Sequence, residues 1–571
     1  MAKAKRTAYK VIDINNEQVL FNYKTIMSAL IIIVAGIISY QPALHAGFTN
    51  WDDDKYVVNN PDIQQLTSST IKKYFSESYM GNYHPVTMLS FAIDYKLAKL
   101  NPRQFHLTNV IFHLLNSMLV FWLVLLLVRR WEAALIAGVL FGVHTLHVES
   151  VAWISERKDV LYAFFFFLSL IMYIIFVKKR KSFFYVTALL FFILSLLSKG
   201  MAVTLSITLI AVDFYLGRDL KSKTVILEKL PFLLIALVMG LVAVHVQQVS
   251  PVNTHLNVYS VLERVVIGGN GFVEYVLKLL IPVQLSHFYP YPEGKNLPTQ
   301  FYIYFFIFLI TCLYLVYSFL NKKLRKIILF CFLFFLFNVI HVLQLFPVGE
   351  AIMADRYAYV SSAGFFLLLG SLYESFFKTT KFKIIYSISI FLYVILLVSL
   401  TRDRCNVWNN NLSLWNDMIS KYPSVALAYN SRGIAHADAK NFTEAIADYT
   451  KALSNDKTYF KSYYNLGLAK YQTGRFQEAI DHFNEAIALD PANPNYYSDR
   501  GLAKSELKNY EGALSDYEKA IALDKIFQRA YYNIGVLKFN TGDRPEACLF
   551  FRRAKEFGNK DADAIIKQYC K

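Results

Sequence analysis

Long apolar stretches alternate with short polar segments over the first 400 residues of the chain. A helix needs roughly 20 apolar residues to cross the hydrocarbon core of a bilayer, because each residue advances it by only about 1.5 Å. The pattern predicts about eleven transmembrane helices, at residues 25–43, 107–128, 132–149, 159–177, 182–198, 201–217, 228–247, 301–320, 327–346, 357–377 and 384–400. Charged residues interrupt a further apolar stretch, 262–283, which is predicted to lie along the membrane surface.

Basic residues in the connecting loops predict the orientation in the membrane. Lys and Arg concentrate in cytoplasmic loops. The N-terminal segment is basic, and so is every second connection: Arg129–Arg130, KKRK at 178–181, GRDLKSK at 217–223, KKLRK at 322–326 and KTTKFK at 378–383. We therefore expect a cytoplasmic N-terminus. A polar stretch separates the basic start from the first apolar segment, which favours a retained anchor over a cleaved signal peptide.

The loops on the opposite face carry most of the unusual ionisable residues. These loops are 44–106, 144–159, 198–200, 248–300 and 346–357. Charged groups at the ends of spans are costly at membrane depth unless they line a wet cavity. One polar outer loop is typical of any membrane protein, but several such corners on one face indicate a functional site.

Beyond residue 425 the pattern changes to charged helices with a period of 34 residues. Glycines recur at 433, 467, 501 and 535, alanines at 445, 479, 513 and 547, and tyrosines at 429, 463, 497 and 531. This period is typical of tetratricopeptide repeats, in which small residues let paired helices pack closely. Residues 561–570 are predicted to form a capping helix, and the array to offer a concave groove, most often for an extended peptide.

The sequence thus predicts an all-α protein with two parts. A cytoplasmic tail, 1–24, precedes a polytopic membrane domain, 25–400, whose first outer loop is 44–106. A linker, 401–424, leads to a tetratricopeptide-repeat α-solenoid of about four repeats, 425–571.

Composition agrees with this division and argues against several functions. The chain is 55% hydrophobic and 18% charged, with a mean hydropathy of +0.33, whereas about a quarter of residues are charged in typical soluble proteins. The net charge of +17 lies largely in short basic loops, which argues against a nucleic-acid partner. The five cysteines show no spacing typical of a metal site or a disulfide framework. Neither a phosphate-binding loop nor a repeated pair of interrupted spans indicates nucleotide hydrolysis or secondary transport.

Six motifs of the membrane half occur in a distinctive order. They are FTNWDDDKYVVNNP at 48–61, NYHPVTMLSFAIDY at 82–95, FHLTNVIFHLLN at 105–116, HTLHVESVAWISERKDVLYA at 144–163, SKGMAVTL at 198–205 and MADRYAYV at 353–360. Followed by the repeats, this order resembles the transmembrane and tetratricopeptide-repeat-containing O-mannosyltransferases, in particular their bacterial relatives. The resemblance implies a C-type glycosyltransferase fold. It also implies an enzyme that moves a sugar from a polyprenyl phosphate to an acceptor on the non-cytoplasmic face.

The resemblance assigns a role to the acidic loop. In the family, an aromatic residue precedes an acidic pair in the first outer loop, and the first Asp is taken as the catalytic base. Trp51, Asp52 and Asp53 occupy those positions here. Asp52 is therefore expected to be the base and Asp53 to orient the acceptor or the sugar, while Asp54 lies where the family varies. The alternative is a solvated acidic loop without chemistry.

A departing phosphate requires cations, which the outer corners supply as Arg157, Lys158, Lys199 and Arg356. We expect Arg356 to contribute most, because a guanidinium can hold two phosphate oxygens at once and the resemblance places this corner near the lipid phosphate. A pair between Asp355 and Arg356, or an arginine reaching the membrane interface, would be the structural alternative. His84 stands where eukaryotic relatives tend to carry Arg, so its role as an acceptor or phosphate contact stays open.

His144, His147 and Glu149 form an H-x-x-H-x-E pattern that could bind a divalent metal. No further ligand has a recognisable spacing, and the family is generally regarded as metal-independent, so we expect no metal and no cofactor. Hydrogen bonds to sugar hydroxyls or to the lipid phosphate are the favoured role. SHFYPYP at 286–292 is predicted either to stack on a sugar or to belong to the interfacial aromatic belt.

Three functions remain open. The favoured one is transfer of a sugar, mannose by the resemblance, to Ser or Thr of a protein acceptor that the repeats recruit. The second is a C-type enzyme acting on a lipid-linked or cell-envelope glycan, and the third is a non-catalytic membrane-anchored repeat scaffold. The exact sequences of the motifs resemble the bacterial relatives more than the eukaryotic ones. They therefore favour a protein of the bacterial inner membrane, with its repeats in the periplasm.

Overall fold

A computed structural model describes residues 23–249, 259–292, 296–322, 325–345, 351–375 and 379–570. The chain divides into two compact units between Ser413 and Leu414. This division lies within the predicted linker, 401–424, which is itself mostly helical.

Helices make up most of the described part of the first unit. They are α1 (Tyr23–Tyr40), α2 (Ser68–Ser76), α3 (Pro85–Ala98), α4 (Pro102–Val128), α5 (Trp131–Val143), α6 (Val148–Ala152), α7 (Arg157–Lys179), α8 (Ser182–Ser198), α9 (Leu205–Tyr215), α10 (Lys223–Val249), α11 (Val261–Leu280), α12 (Thr299–Leu320), α13 (Lys326–Val339), α14 (Ser362–Ser375) and α15 (Thr380–Val407). Two short antiparallel strands, β1 (Tyr289–Pro290) and β2 (Ala351–Met353), pair with Tyr289 opposite Met353.

Each of the eleven apolar stretches predicted from the sequence carries a helix: α1, α4, α5, α7, α8, α9, α10, α12, α13, α14 and α15. In the described part of the chain, six helices are long and apolar enough to cross a membrane. A seventh candidate combines α5 with Thr145–Ala152 and is bent by 49°. The other four, Ser182–Ser198, Gly200–Tyr215, Lys326–Val342 and Ser362–Tyr373, are shorter. The number of eleven spans therefore stays a prediction.

The stretch predicted to lie along the membrane surface is helix α11. It begins at Ser260 with a capping box, in which Ser260 N–H donates to Glu263 Oε2 (2.7 Å) and Glu263 N–H donates to Ser260 Oγ (3.3 Å). One face of α11 is buried, whereas Leu262 and Val265 on the other are exposed. Such an amphipathic helix is typical of a membrane surface, and its position there stays a prediction.

The centre of the first unit is the packing of α4 against α1, α5 and α7. A Cβ added to Gly138 of α5 would lie 2.7 Å from Ile32 Cδ1 of α1 and 2.9 Å from Phe121 Cβ of α4, so only glycine fits where the three helices meet. Asn116 of α4 donates to the carbonyl oxygen of Val160 in α7 (2.8 Å). This centre supports the corner between α6 and α7, where most of the candidate site residues lie.

The second unit is a stack of paired helices. These are α17 (Ala426–Asp438) with α18 (Phe442–Asn455), α19 (Phe460–Gln472) with α20 (Phe476–Leu489), α21 (Pro494–Glu506) with α22 (Tyr510–Leu523) and α23 (Gln528–Asn540) with α24 (Arg544–Glu556); α16 (Asn411–Lys421) precedes them and α25 (Asp561–Tyr569) follows them. The periodic glycines sit under aromatic rings of the partner helix. A Cβ at any of the four would lie 2.6 to 2.7 Å from a ring carbon of Tyr449, Phe483, Tyr517 or Phe551. The predicted close packing is thus observed in every repeat.

The predicted capping helix is α25, and a disulfide between Cys548 and Cys570 ties its end to α24. No cysteine spacing in the sequence indicated a disulfide. The link forms because α25 folds back onto α24 and brings two cysteines separated by 22 positions to a Cα–Cα distance of 5.5 Å.

Candidate active site

Asp52 lies in the segment between α1 and α2, just before a π-helical turn, Asp54–Val58. Its backbone is left-handed, with φ of 76°, a conformation that few residues other than glycine adopt but that Asp and Asn tolerate. The Asp52 side chain is 32% exposed, and Lys55 Nζ lies 4.0 Å from its carboxylate. The carboxylate is therefore accessible to a substrate.

Asp53 has a different environment, because its carboxylate is fully buried and accepts four hydrogen bonds. The N–H and the hydroxyl of Thr49 donate to Oδ2 (both 2.9 Å), and those of Ser155 donate to Oδ1 (2.9 and 2.5 Å). Burial raises the pKa of Asp53 to about 6, although the bonds from Ser155 and Thr49 act to lower it. Asp53 thus joins the segment between α1 and α2 to the corner between α6 and α7. Its predicted role in orienting substrate stays a prediction.

The Glu156 carboxylate contacts three cations from separate parts of the chain. It ends the short turn Ile154–Glu156 before α7 and is buried. Its carboxylate lies 3.2 Å from Lys158 Nζ, 3.1 Å from Lys199 Nζ and 3.3 Å from Arg356 Nε. Lys158 belongs to α7, Lys199 follows α8, and Arg356 lies in the turn Asp355–Ala358 after β2.

Two further acids complete this cluster. Arg356 Nη1 pairs with Glu149, whose other oxygen accepts the Arg356 backbone N–H at 2.9 Å. Lys199 Nζ lies 2.5 Å from Asp159, which also accepts the Ser150 hydroxyl (3.0 Å). We call Glu149, Glu156, Asp159, Lys158, Lys199 and Arg356 the charge cluster. It contains three acidic side chains and three cationic ones.

Tyr56 connects the charge cluster with Asp52. Lys158 Nζ lies 5.0 Å from the centre of the Tyr56 ring, and the His84 ring lies 5.4 Å from it. Burial raises the pKa of Tyr56, Lys158 lowers it, and the charges of Asp52 and Glu156 raise it. Asp52, whose carbonyl oxygen accepts the Tyr56 N–H (3.0 Å), and Lys158 of the charge cluster therefore both lie next to Tyr56.

His84 is buried beside this phenol, and within the described part of the chain neither of its ring nitrogens has a hydrogen-bond partner. Burial, and after it the charge of Lys158, lowers the pKa of His84 to about 3. His84 is therefore neutral at physiological pH. An unpaired buried imidazole next to the charge cluster is suited to a hydrogen bond with a bound ligand.

The structure does not bring Arg157 into the charge cluster, although its place in the sequence motif predicted a phosphate-binding cation. The Arg157 side chain is fully buried, and its Nη2 donates to Asp94 Oδ2 (2.7 Å) and to the carbonyl oxygen of Phe105 (2.8 Å). Its Nε donates to Asn109. These partners occupy the guanidinium inside the protein. Adjacent residues of a helix point in directions about 100° apart, so Lys158 reaches the cluster and Arg157 does not.

His144 and His147 are also held by protein groups. His144 Nε2 bonds to the carbonyl oxygen of Leu279 (3.1 Å), whereas the two ring nitrogens of His147 bond to the carbonyl oxygen of Phe141 and the hydroxyl of Ser362 (both 2.9 Å). Their predicted contact with a sugar or phosphate would require these bonds to be exchanged. Among the described residues, no group of three His, Cys, Asp or Glu side chains is placed to hold a metal ion.

Asp355 contacts the aromatic stretch at 286–292. The Tyr289 hydroxyl donates to Asp355 Oδ1 (2.6 Å), and Tyr289 is buried together with His287 and Phe288. These rings thus belong to the interior and not to an exposed aromatic belt. The His287 ring lies 5.4 Å from the ring of Trp51, which precedes the candidate base.

Sequence reasoning missed Glu156, the acid that contacts all three cations of the cluster. Its signal was present: Glu156 precedes the candidates Arg157, Lys158 and Asp159 in the same motif. An acid among basic residues is usually interpreted as a local ion pair. The sequence does not reveal that cations about 40 and 200 positions away reach the same carboxylate.

Comparison with family models identifies the repeats. Models described as tetratricopeptide repeat match residues 460–493 and 498–562, and one described as TPR repeat matches residues 433–474. The predicted repeat array is thereby confirmed. Fold and site together define an all-α membrane protein with a tetratricopeptide-repeat array and a buried charge cluster in its membrane half.

Two curated proteins extend the comparison to the membrane half. The chain is 26% identical to protein O-mannosyl-transferase F38B6.6 of Caenorhabditis elegans over 459 residues, which covers 76% of this chain and 63% of that protein. It is 31% identical to protein O-mannosyl-transferase TMTC3 of Homo sapiens over 147 residues, 24% of this chain and 16% of that protein. The longer match exceeds the second unit, Leu414–Lys571, and so includes part of the membrane half. The chain is a relative of the TMTC protein O-mannosyl-transferases, as the motifs predicted.

Among solved structures, the chain is similar to a crystal structure of MamA, with 29% identity, a TM-score of 0.25, and coverage of 27% of this chain and 89% of that one. A crystal structure of YrrB, a TPR protein with an unusual peptide-binding site, is 23% identical with a TM-score of 0.24 and covers 26% of this chain and 77% of that one.

Proposed function

We propose that this chain is a membrane glycosyltransferase that moves mannose from a polyprenyl-phosphate donor to Ser or Thr hydroxyls of a protein acceptor. The observation that carries the proposal is the accessible carboxylate of Asp52, one turn before Tyr56, whose ring contacts Lys158 of the charge cluster. The relatives named protein O-mannosyl-transferase support the reaction class and the sugar.

In the proposed reaction, Asp52 accepts the proton of the acceptor hydroxyl as its oxygen bonds to C1 of the sugar. The bond between C1 and the phosphate oxygen breaks, and the polyprenyl phosphate departs with the electron pair. The left-handed backbone at Asp52 supports this role, because uncommon backbone conformations tend to occur where function requires a particular orientation.

The cations of the charge cluster bind the phosphate in this proposal. Arg356, Lys158 and Lys199 are nearly buried, and in such surroundings they interact with phosphate oxygens more strongly than they would in water. The unpaired imidazole of His84 offers a further hydrogen bond, either to the phosphate or to a sugar hydroxyl. The reaction needs no cofactor, since the lipid phosphate is already a good leaving group.

The repeats recruit or orient the protein acceptor. Tetratricopeptide arrays present a concave surface suited to extended peptides. The alternation of basic loops supports a cytoplasmic N-terminus. In this proposal the charge cluster and the repeats face the opposite side, the periplasmic face of a bacterial inner membrane. The disulfide between Cys548 and Cys570 supports this orientation, because such bonds persist in oxidising compartments.

Sugar transfer in isolated membranes tests the proposal. Labelled polyprenyl-phosphate mannose and a mixed pool of Ser/Thr peptides are supplied to the wild-type chain, to Asp52→Asn and to the neighbouring control Asp54→Asn, at equal abundance. Asn tolerates the left-handed backbone at position 52, so the variant removes the base without straining the loop. We expect labelled peptide from the wild type and from Asp54→Asn, and at least about a hundredfold less from Asp52→Asn.

Different results would exclude parts of the proposal. Undiminished transfer by Asp52→Asn would show that another group is the base. Label in a lipid or glycan fraction would indicate the alternative C-type enzyme that modifies envelope glycans. No transfer from any lipid-linked sugar would leave the repeat scaffold as the function.

A further inference from the structure

Glu156 lies where a bound phosphate would have to lie if the three cations were to share it. Its carboxylate is 3.1 to 3.3 Å from one nitrogen of each cation, Lys158, Lys199 and Arg356. Glu149 contacts Arg356 alone among the three cations, and Asp159 contacts Lys199 alone. Glu156 is thus the acid that makes all the ion contacts expected of a shared anionic ligand.

The charges within the cluster also indicate that Glu156 lies at the phosphate position. Three acidic side chains lie among three cations, so they offset much of the positive charge that would attract an anion. A phosphate at hydrogen-bond distance from the cations would also lie next to the Glu156 carboxylate, and two like charges in a buried site repel strongly. A phosphate that shares these cations would therefore have to take the place of Glu156.

We propose that the Glu156 carboxylate occupies the phosphate position of the empty site and competes with the lipid phosphate for the same three cations. This inference rests on the proposed function for the identity of the ligand. The position of Glu156 supports the idea, because it ends a short turn between two helices, where a side chain can withdraw without moving either helix.

Competition between Glu156 and the phosphate affects the release of the product. The donor is a phosphodiester with one negative charge, whereas the product is a phosphate monoester, which carries up to two near neutral pH. An unopposed group of three cations would bind the product more tightly than the donor and slow its release. Glu156 weakens the binding of the dianion more than that of the monoanion, and so it favours product release.

A purely structural role for Glu156 predicts the opposite effect on affinity. If Glu156 only held the cations together, its neutralisation would let Lys158, Lys199 and Arg356 repel each other, and phosphate binding would weaken. The sign of the change in affinity therefore separates the two roles.

Direct binding to the purified full-length chain in detergent tests the inference. The probes are farnesyl phosphate, its methyl phosphodiester and uncharged farnesol, and the variants are Glu156→Gln, Glu156→Asp and the control Glu77→Gln, whose side chain is 54% exposed and 3.8 Å from Lys73. We expect Glu156→Gln to bind farnesyl phosphate about tenfold more tightly than the wild type and the diester about threefold more tightly. Farnesol binding and the control should match the wild type.

Glu156→Asp keeps the charge but draws it back by one methylene, so it should bind farnesyl phosphate with an intermediate gain. If Glu156→Gln does not purify as a folded protein, the affinity of Glu156→Asp for farnesyl phosphate tests the inference instead. Unchanged or weaker binding of farnesyl phosphate by the folded variant would overturn the inference.

The proposed reaction is tested separately by sugar transfer with the wild type. Tighter binding by Glu156→Gln without any transfer by the wild type would leave this inference standing and exclude the reaction. Transfer by the wild type without tighter binding by the variant would do the reverse.

Discussion

The neighbouring acids Asp52 and Asp53, between α1 and α2, have different environments. The carboxylate of Asp52 is partly exposed, whereas that of Asp53 is buried and saturated by Thr49 and Ser155. The pairing of these acids was visible in the sequence, but their separate environments depend on Ser155, which lies 102 positions away. Asp53 therefore offers a residue-level test of how the loop is held.

Stability should depend on pH through Asp53. Burial raises its pKa from 3.8 to about 6, so between these values the folded chain retains a proton that the unfolded chain has lost. The free energy of unfolding must then fall as the pH rises through this interval. Relative to Asp53→Asn, which cannot titrate, the wild type should lose up to about 3 kcal/mol between pH 4 and 6.5.

Thermal unfolding of both proteins in detergent across this pH range measures the effect. The free energy of unfolding of the wild type, taken relative to that of Asp53→Asn, should fall as the pH rises. If it rises or does not change, Asp53 is not a buried ionisable group. Above about pH 7 the difference should be constant, because the folded and unfolded states are then both ionised at this position.

At the scale of helices, the repeats depend on glycines that admit an aromatic ring of the partner helix. At Gly467 in α19, an added Cβ would lie 2.6 Å from Phe483 of α20, which is far inside van der Waals contact. The ring is fully buried and cannot move aside without disturbing the next pair.

Gly467→Ala should therefore destabilise the repeat array by about 1–3 kcal/mol, although alanine normally favours a helix. The matched control is Glu485→Ala, an exposed position on the same helix as Phe483. Denaturant unfolding followed by the loss of helical signal compares the two. Equal stability of Gly467→Ala and the wild type would show that the helices separate at no cost.

At the scale of the whole molecule, the disulfide reports the compartment of the repeats. Cys548 and Cys570 are bonded, whereas Cys312, Cys331 and Cys405 are free. If the repeats face an oxidising compartment, the first two should resist alkylation until a reductant is added.

A variant with Ser at positions 312, 331 and 405 isolates this signal. In intact cells, a membrane-impermeant maleimide should label it only after reduction, and it should label two sites. Labelling without a reductant would mean that the bond does not form in the cell. Labelling only after the cells are broken open would place the repeats in the cytoplasm.

Local patterns along the chain predict much of this architecture. Apolar runs mark the helices, and the 34-residue period marks the repeats, because both depend on burial of a periodic face that sequence displays directly. The motifs also mark Asp52, Lys158, Lys199 and Arg356 as candidates. The same motifs also predict a role for Arg157, His144 and His147, but in the structure these side chains form hydrogen bonds inside the protein.

The order of residues is enough to predict the helical class, the repeat array and the acids and bases at the ends of apolar segments. Which of these charges meet depends on how the chain folds. Glu156, Lys199 and Arg356 come together because α7, the end of α8 and the turn after β2 converge on one corner. Such a contact depends on how distant helices pack, and the order of residues along the chain does not contain that information in any local pattern.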